Sequence, residues 1–128
     1  MKRKKTMQVR TKIMLIGDNP DINFFTALQQ EGYETIACES AQKAWPLVYE
    51  FRPNLIIVHL RHPSRSDIAT LQECRTMAEG VPIVVATSVP GHETVTRALE
   101  EGATSFLALP LERAKVKKVV DDLLAGHG

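Results

Sequence analysis

Short apolar segments alternate with segments of helical periodicity along the whole chain. Five segments have the composition or the alternation of strands, namely 12–16, 33–38, 54–60, 81–86 and 103–109. Segments 54–60 and 81–86 are almost continuously apolar, as strands covered on both faces are. Hydrophobic residues between the strands recur at helical spacing, most regularly at Val116, Val119, Val120, Leu123 and Leu124. The pattern therefore predicts five strands that alternate with five helices.

Turn and cap residues mark several boundaries of these elements. Pro20 suits the first position of the first helix, and Ser40 suits the N-cap of the second. Gly32 and Gly102 fall where the first and fourth helices should end. Pro46 lies inside the second helical pattern, where it removes a backbone hydrogen bond. We therefore expect a kink or a delayed start in the second helix.

The alternation predicts an α/β fold with a parallel sheet between two layers of helices. Crossovers in such a sheet are right-handed, and the expected strand order is the flavodoxin-like 2-1-3-4-5. In that order the ligand crevice lies at the carboxyl ends of strands 1 and 3. We expect one domain over 12–125, with a basic tail over 1–11 that runs into strand 1 and a C-terminal tail over 126–128.

Length and charge narrow the possible functions. The 128 residues, of which 44% are hydrophobic and 24% charged, suit one globular domain. Without an apolar run of about 20 residues or a signal peptide, we expect a cytoplasmic protein without a membrane segment, in which Cys38 and Cys74 stay reduced. Six of the 16 basic residues lie in the first twelve positions, and the remaining chain is mildly acidic. Nucleic acid is therefore not an expected partner of the domain.

Candidate chemistry lies where the predicted strands end. These residues are Gly17 and Asp18 after strand 1, 59–63 after strand 3, Thr87 and Ser88 after strand 4, and Leu109 and Pro110 after strand 5. The carboxyl ends of parallel strands meet at one edge of the sheet, where this fold binds its ligands. Function should therefore be sought at these positions.

Four segments in this order resemble the receiver domain of bacterial two-component response regulators. They read KIMLIGDNPD, PNLIIVHLRHP, VPIVVATS and GATSFLALP, and the final helix follows them. The resemblance covers about 12–124 and implies a receiver-like module of phosphorelay signal transduction, not an enzyme. In that family, Mg²⁺ is held beside an aspartate that accepts a phosphoryl group from a histidine kinase.

Three of the positions on which the family's chemistry depends are altered here. By resemblance, the acid pair after strand 1 reads Gly17–Asp18, His59 holds the phosphoacceptor position, and Leu109 replaces the lysine. Mg²⁺ prefers oxygen ligands, for which imidazole is a poor substitute. Loss of the lysine removes a cation that would neutralise the phosphoryl oxygens. We therefore predict a pseudo-receiver that is not phosphorylated at the usual position and binds Mg²⁺ weakly or not at all.

Other family positions are kept. Thr87 matches the hydroxyl residue after strand 4, and Phe106 matches the aromatic residue of strand 5 that moves with it as a switch. Pro110 matches a proline that usually follows a cis peptide bond, and Pro63 matches the proline after the phosphorylation loop. The simpler interpretation of Thr87 and Phe106 is a locally bonded threonine and a ring packed against helix 4.

His59 has three interpretations at this stage. In the first, His59 itself accepts a phosphoryl group, since histidine forms covalent intermediates. In the second, His59 joins Asp18 and His62 in binding a transition metal. In the third, which we prefer, His59 forms a hydrogen bond to Asp18 or to the backbone and fills a pocket that no longer supports phosphoryl transfer.

The function predicted from these residues is protein–protein contact within a two-component pathway, with no catalytic residues and no cofactor. The resemblance implies that a signalling partner or a second copy docks on the face of helix 4, strand 5 and helix 5. One alternative is a functional phosphorelay receiver with altered pocket chemistry. Another is a flavodoxin-like ligand-binding protein, which the single glycine after strand 1, Gly17, disfavours.

Overall fold

The computed structural model describes residues 11–17, 22–59, 65–87, 92–109 and 113–124. Strands and helices alternate strictly in this part of the chain. The strands are Lys12–Ile16 (β1), Glu34–Cys38 (β2), Leu55–His59 (β3), Ile83–Thr87 (β4) and Ser105–Ala108 (β5). The helices are Ile22–Gln30 (α1), Ala41–Phe51 (α2), Arg65–Met77 (α3), His92–Glu100 (α4) and Arg113–Leu124 (α5). None of the described helices is long and apolar enough to cross a membrane.

The five strands form one parallel sheet in the order β2-β1-β3-β4-β5, so the predicted fold class is confirmed. The register pairs Ile16 with both Cys38 and Val58, and pairs His59 with Ala86. Because the strands are parallel, their carboxyl ends lie at one edge of the sheet. This edge brings together the residues that follow or end the strands.

Two apolar clusters cover the two faces of the sheet. Side chains alternate along β1, so that Ile13 and Leu15 enter one cluster and Met14 and Ile16 enter the other. The first cluster continues into α1 and α5 through Leu28, Val116 and Val120. The second continues into α2 and α3 through Ala44, Val48, Leu71 and Cys74. The central strands are therefore buried on both faces, which explains their continuous apolar sequence.

The second helix starts at its predicted cap and not later. Ser40 has an extended backbone, and its Oγ accepts a hydrogen bond from the Lys43 backbone N–H at 3.2 Å. The helix then runs through the exposed Pro46 to Phe51, so of the two effects expected from this proline, a kink or a delayed start, the delayed start does not occur. Burial of the helix face formed by Ala41, Ala44 and Val48 outweighs the local cost of the proline.

β4 starts two residues later than the apolar pattern predicts, at Ile83 instead of Val81. Pro82 has no N–H to contribute to the ladder, so the strand begins after it. The Pro82 carbonyl still accepts a hydrogen bond from the Ile56 N–H at 3.0 Å, which keeps the approach to β4 beside β3.

Helix α5 is tied to the start of β2 by Tyr33. The Tyr33 side chain is largely buried, and its hydroxyl donates to Asp121 Oδ1 at 3.2 Å and lies 3.5 Å from the Lys117 carbonyl oxygen. Burial, together with the nearby Asp121 carboxylate, raises the pKa of Tyr33 to about 12. The phenol therefore stays protonated and remains a donor to Asp121 throughout the neutral range.

Both cysteines are buried free thiols on the same side of the sheet. Burial raises the pKa of Cys38, and it raises that of Cys74 to about 12. Because the thiolate is the reactive form, burial disfavours the reactivity of both sulfurs.

Arg52 caps the C-terminus of helix α2 and has a left-handed backbone with φ 53° and ψ 66°. Its N–H donates to the Val48 carbonyl at 2.9 Å, and its side chain is exposed. A residue with a Cβ adopts this conformation at a cost of about 1–2 kcal/mol. Glycine avoids this cost, but it loses more conformational entropy on folding, which offsets part of the gain.

Arg52→Gly is therefore expected to raise the free energy of unfolding by about 0.5–1 kcal/mol. Urea unfolding followed by far-ultraviolet circular dichroism measures the change. Arg52→Ala keeps the Cβ and serves as the control that should not stabilise. A glycine variant less stable than the wild type would mean that the arginine side chain contributes more than its backbone conformation costs.

Candidate functional site

The carboxyl edge of the sheet assembles four of the residues singled out from the sequence. Gly17 directly follows β1, His59 ends β3, Thr87 ends β4 and Leu109 directly follows β5. Asp18, His62, Pro63, Ser88 and Pro110 lie outside the described residues. The structure thus places the predicted positions of β1, β3, β4 and β5 side by side, as the topology requires.

Gly17 and His59 lie in close contact where β1 and β3 end. Gly17 is buried, and its N–H donates to the Cys38 carbonyl at 3.0 Å, which extends the β1–β2 ladder by one residue. A Cβ on Gly17 would lie 3.0 Å from both the Cβ and the carbonyl oxygen of His59. Glycine therefore permits an approach of the two strands that a side chain would oppose.

His59 is half-buried at this edge. A neutral imidazole offers one donor and one acceptor nitrogen, which suits hydrogen bonding or a transition metal better than Mg²⁺. Within the described part of the chain, no group of three or more His, Cys, Asp or Glu side chains is placed to hold a metal ion. The proposed ligands Asp18 and His62 are outside that part, so the metal hypothesis stays a prediction.

Thr87 and Leu109 form the other corner of the edge. Thr87 is only 1% exposed, and its carbonyl accepts a hydrogen bond from the Leu109 N–H at 2.8 Å. This bond continues the β4–β5 pairing beyond Ala108. Leu109 itself is buried in the cluster that also contains Val116 and Val120 of α5. The corner is therefore packed with apolar groups.

Phe106 does not enter the core. It is paired with Val85 in the β4–β5 register, and its side chain is 38% exposed. Leu99, on α4, is 44% exposed. These are two of the three large exposed hydrophobic side chains of the described residues, and the third is Tyr49 on α2. An exposed aromatic and an exposed aliphatic residue thus lie on the face of α4 and β5.

Helix α5 carries two exposed ion pairs. Lys117 Nζ lies 2.8 Å from Asp121 Oδ2, and Lys118 Nζ lies 3.2 Å from Asp122 Oδ2, both at i,i+4 spacing. The Asp121 carboxylate raises the pKa of Lys117, and the lysine in turn lowers the pKa of Asp121. Such exposed pairs contribute little to stability, so the charges remain accessible to a partner.

The fold and the position of the candidate site identify the class of protein: an α/β protein with the flavodoxin-like arrangement of CheY-like proteins. The family model for the response regulator receiver domain matches residues 13–121. The chain belongs to this family, whose members are signalling modules.

Solved structures with the same fold cover nearly all of the chain. A response regulator from Thermotoga maritima has a TM-score of 0.79 at 15% identity, over 92% of this chain and all (100%) of that one. The receiver domain of NtrX from Brucella abortus has a TM-score of 0.75 at 25% identity, over 88% and 98% of the two chains. The first of these likenesses concerns the fold alone.

Curated relatives include two longer regulators. The probable C4-dicarboxylate response regulator DctR of Priestia megaterium is 26% identical over 85% of this chain and 50% of its own length. The transcriptional regulatory protein ZraR of Salmonella typhimurium is 28% identical over 91% of this chain and 27% of its own length. The chain therefore spans between about a quarter and a half of these relatives.

Two features of the site escaped the sequence analysis. One is the contact of the Gly17 backbone with His59, and the other is the hydrogen bond from Leu109 to Thr87. A glycine at the end of a buried strand was the available signal for the first, because glycine in a strand often marks a close backbone approach.

Proposed function

We propose that this chain is a degenerate receiver domain that signals through protein–protein contacts and does not accept a phosphoryl group at the usual aspartate position. The observation that carries the proposal is the packing of the carboxyl edge. By resemblance, His59 takes the acceptor position and Leu109 takes the lysine position. The Gly17 backbone packs against His59, and Leu109 is buried. Of the family's acid pair, the sequence keeps one member, Asp18, which lies outside the described residues.

The same residues are unsuited to Mg²⁺. This ion needs near-octahedral oxygen ligands, usually with one or two carboxylates. Gly17 has no side chain, His59 offers nitrogen, and Leu109 offers neither charge nor a polar atom. The described part of the edge therefore does not fit the ion, which supports weak or absent Mg²⁺ binding.

The proposed docking face consists of α4, β5 and α5. Leu99 and Phe106 supply exposed apolar area, and Arg97 on α4 and Lys118 on α5 are exposed charged residues of these elements. An apolar centre with a charged rim is the usual composition of a protein–protein interface. The occupant we propose is a signalling protein or a second copy of this chain. We propose that this chain acts in the cytoplasm, because relatives such as ZraR are named transcriptional regulators.

The proposal predicts that a small phosphodonor leaves the protein unmodified. After incubation with acetyl phosphate and Mg²⁺, we expect the intact mass to stay that of the unmodified chain, without a species heavier by about 80 Da. The electrostatic support for phosphoryl transfer is missing from the described edge. Intact-mass spectrometry at neutral pH measures the outcome.

The matched positive control is a receiver that keeps the aspartate and the lysine, treated in parallel. A stoichiometric adduct on this chain would overturn the proposal. An adduct that disappears in His59→Gln would identify the histidine as the acceptor and support the alternative of a functional receiver with altered chemistry.

A further inference from the structure

Helix α3 holds the end of helix α4 through two side chains. Gln72 Nε2 donates to Glu101 Oε1 at 2.7 Å, and Arg75 Nη1 donates to the Glu101 carbonyl oxygen at 3.3 Å. Gln72 and Arg75 are three residues apart, so they project from the same side of α3. The two contacts join helices that are separated in sequence by β4.

The turn that ends α4 receives a donor from outside the helix at the Glu101 carbonyl. The last carbonyls of a helix have no partner within the helix, and a cation near them interacts favourably with the helix dipole. Turn bonds complete this end, from Glu101 N–H to Arg97 O at 3.0 Å and from Ala103 N–H to Ala98 O at 3.0 Å. Arg75 adds a charged donor from another helix to a carbonyl of this turn.

Gly102 leaves room for the Arg75 side chain because it has no Cβ. This glycine has φ +110°, a conformation that favours glycine, and a Cβ there would lie 1.9 Å from Arg75 Cδ and 2.3 Å from its Nε. The arginine side chain therefore crosses directly over the Gly102 backbone. The same glycine ends the helix and makes room for the residue that holds it.

We propose that Gln72 and Arg75 form a latch that fixes the C-terminal turn of α4 to α3 and so sets the orientation of the α4 surface that carries Leu99. The latch makes α3, the helix that follows β3 and His59 in the chain, the support of that surface. It requires no assumption about phosphorylation, whereas its consequence for docking rests on the proposed function.

Amide hydrogen exchange of the full chain, resolved by NMR, tests the latch. In Arg75→Ala we expect the amides of Glu101, Gly102 and Ala103 to exchange about tenfold faster, because the turn loses a charge-assisted hydrogen bond. The amides of Val58 and Val84, in the central strands, should keep their rates. Glu101→Ala should give a smaller increase, because it removes the acceptor of Gln72 but leaves the carbonyl that Arg75 contacts.

A readout of orientation separates positioning from stability alone. Residual dipolar couplings of the α4 amides should change in Arg75→Ala while those of the strands stay constant. Lys43→Ala, which removes an exposed lysine of α2, is the control that should alter neither measurement. Unchanged exchange at the turn, a uniform acceleration across the chain, or unchanged α4 couplings would each overturn the proposal. The phosphodonor experiment is independent of all of these results.

Discussion

Leu109→Lys is expected to lower the free energy of unfolding by about 2–4 kcal/mol. Leu109 is 8% exposed and packs in the cluster with Ala86, Val116 and Val120, while its N–H is bonded to the Thr87 carbonyl. The substitution removes an apolar side chain from this cluster and puts an ammonium group beside it. Urea unfolding of both proteins under identical conditions gives the difference.

Leu109→Met is the matched control, because it keeps the apolar volume and should cost less than about 1.5 kcal/mol. The comparison also tests the proposed function. A lysine variant as stable as the wild type would mean that this corner accepts a cation without strain. The site would then be one substitution closer to the chemistry of the family than the proposal holds.

Much of the fold could be predicted because the sequence of a single strand shows whether one or both of its faces are buried. β1 and β3 are apolar at nearly every position, and the structure covers both of their faces. The boundaries were less predictable where two effects compete. Pro46 argued locally for a later helix start, yet the buried face of α2 determines where the helix begins. Pro82 looked like part of an apolar strand, although it lacks the N–H that the ladder requires.

The candidate site could be predicted in position but not in packing. Parallel topology alone brings Gly17, His59, Thr87 and Leu109 to one edge. How closely two strands approach depends on twist and on side chains from several elements, and one sequence does not encode that distance in any single residue. The contact between Gly17 and His59 became visible only in three dimensions, and it is the feature that most directly affects whether position 17 could carry a side chain.

Gly17→Ala is expected to cost about 1–3 kcal/mol, because the new Cβ would lie 3.0 Å from two His59 atoms in a buried position. In a His59→Gly background one of those atoms, the Cβ, is gone, whereas the carbonyl oxygen remains. Gly17→Ala should therefore cost about 1 kcal/mol less there, measured by urea unfolding in a double-mutant cycle. Gly32→Ala has no atom within 4 Å of the added Cβ, so its cost should be the same in both backgrounds. A cost near zero for Gly17→Ala in both backgrounds would show that β1 and β3 can separate freely, and an aspartate at position 17 would then meet no steric barrier.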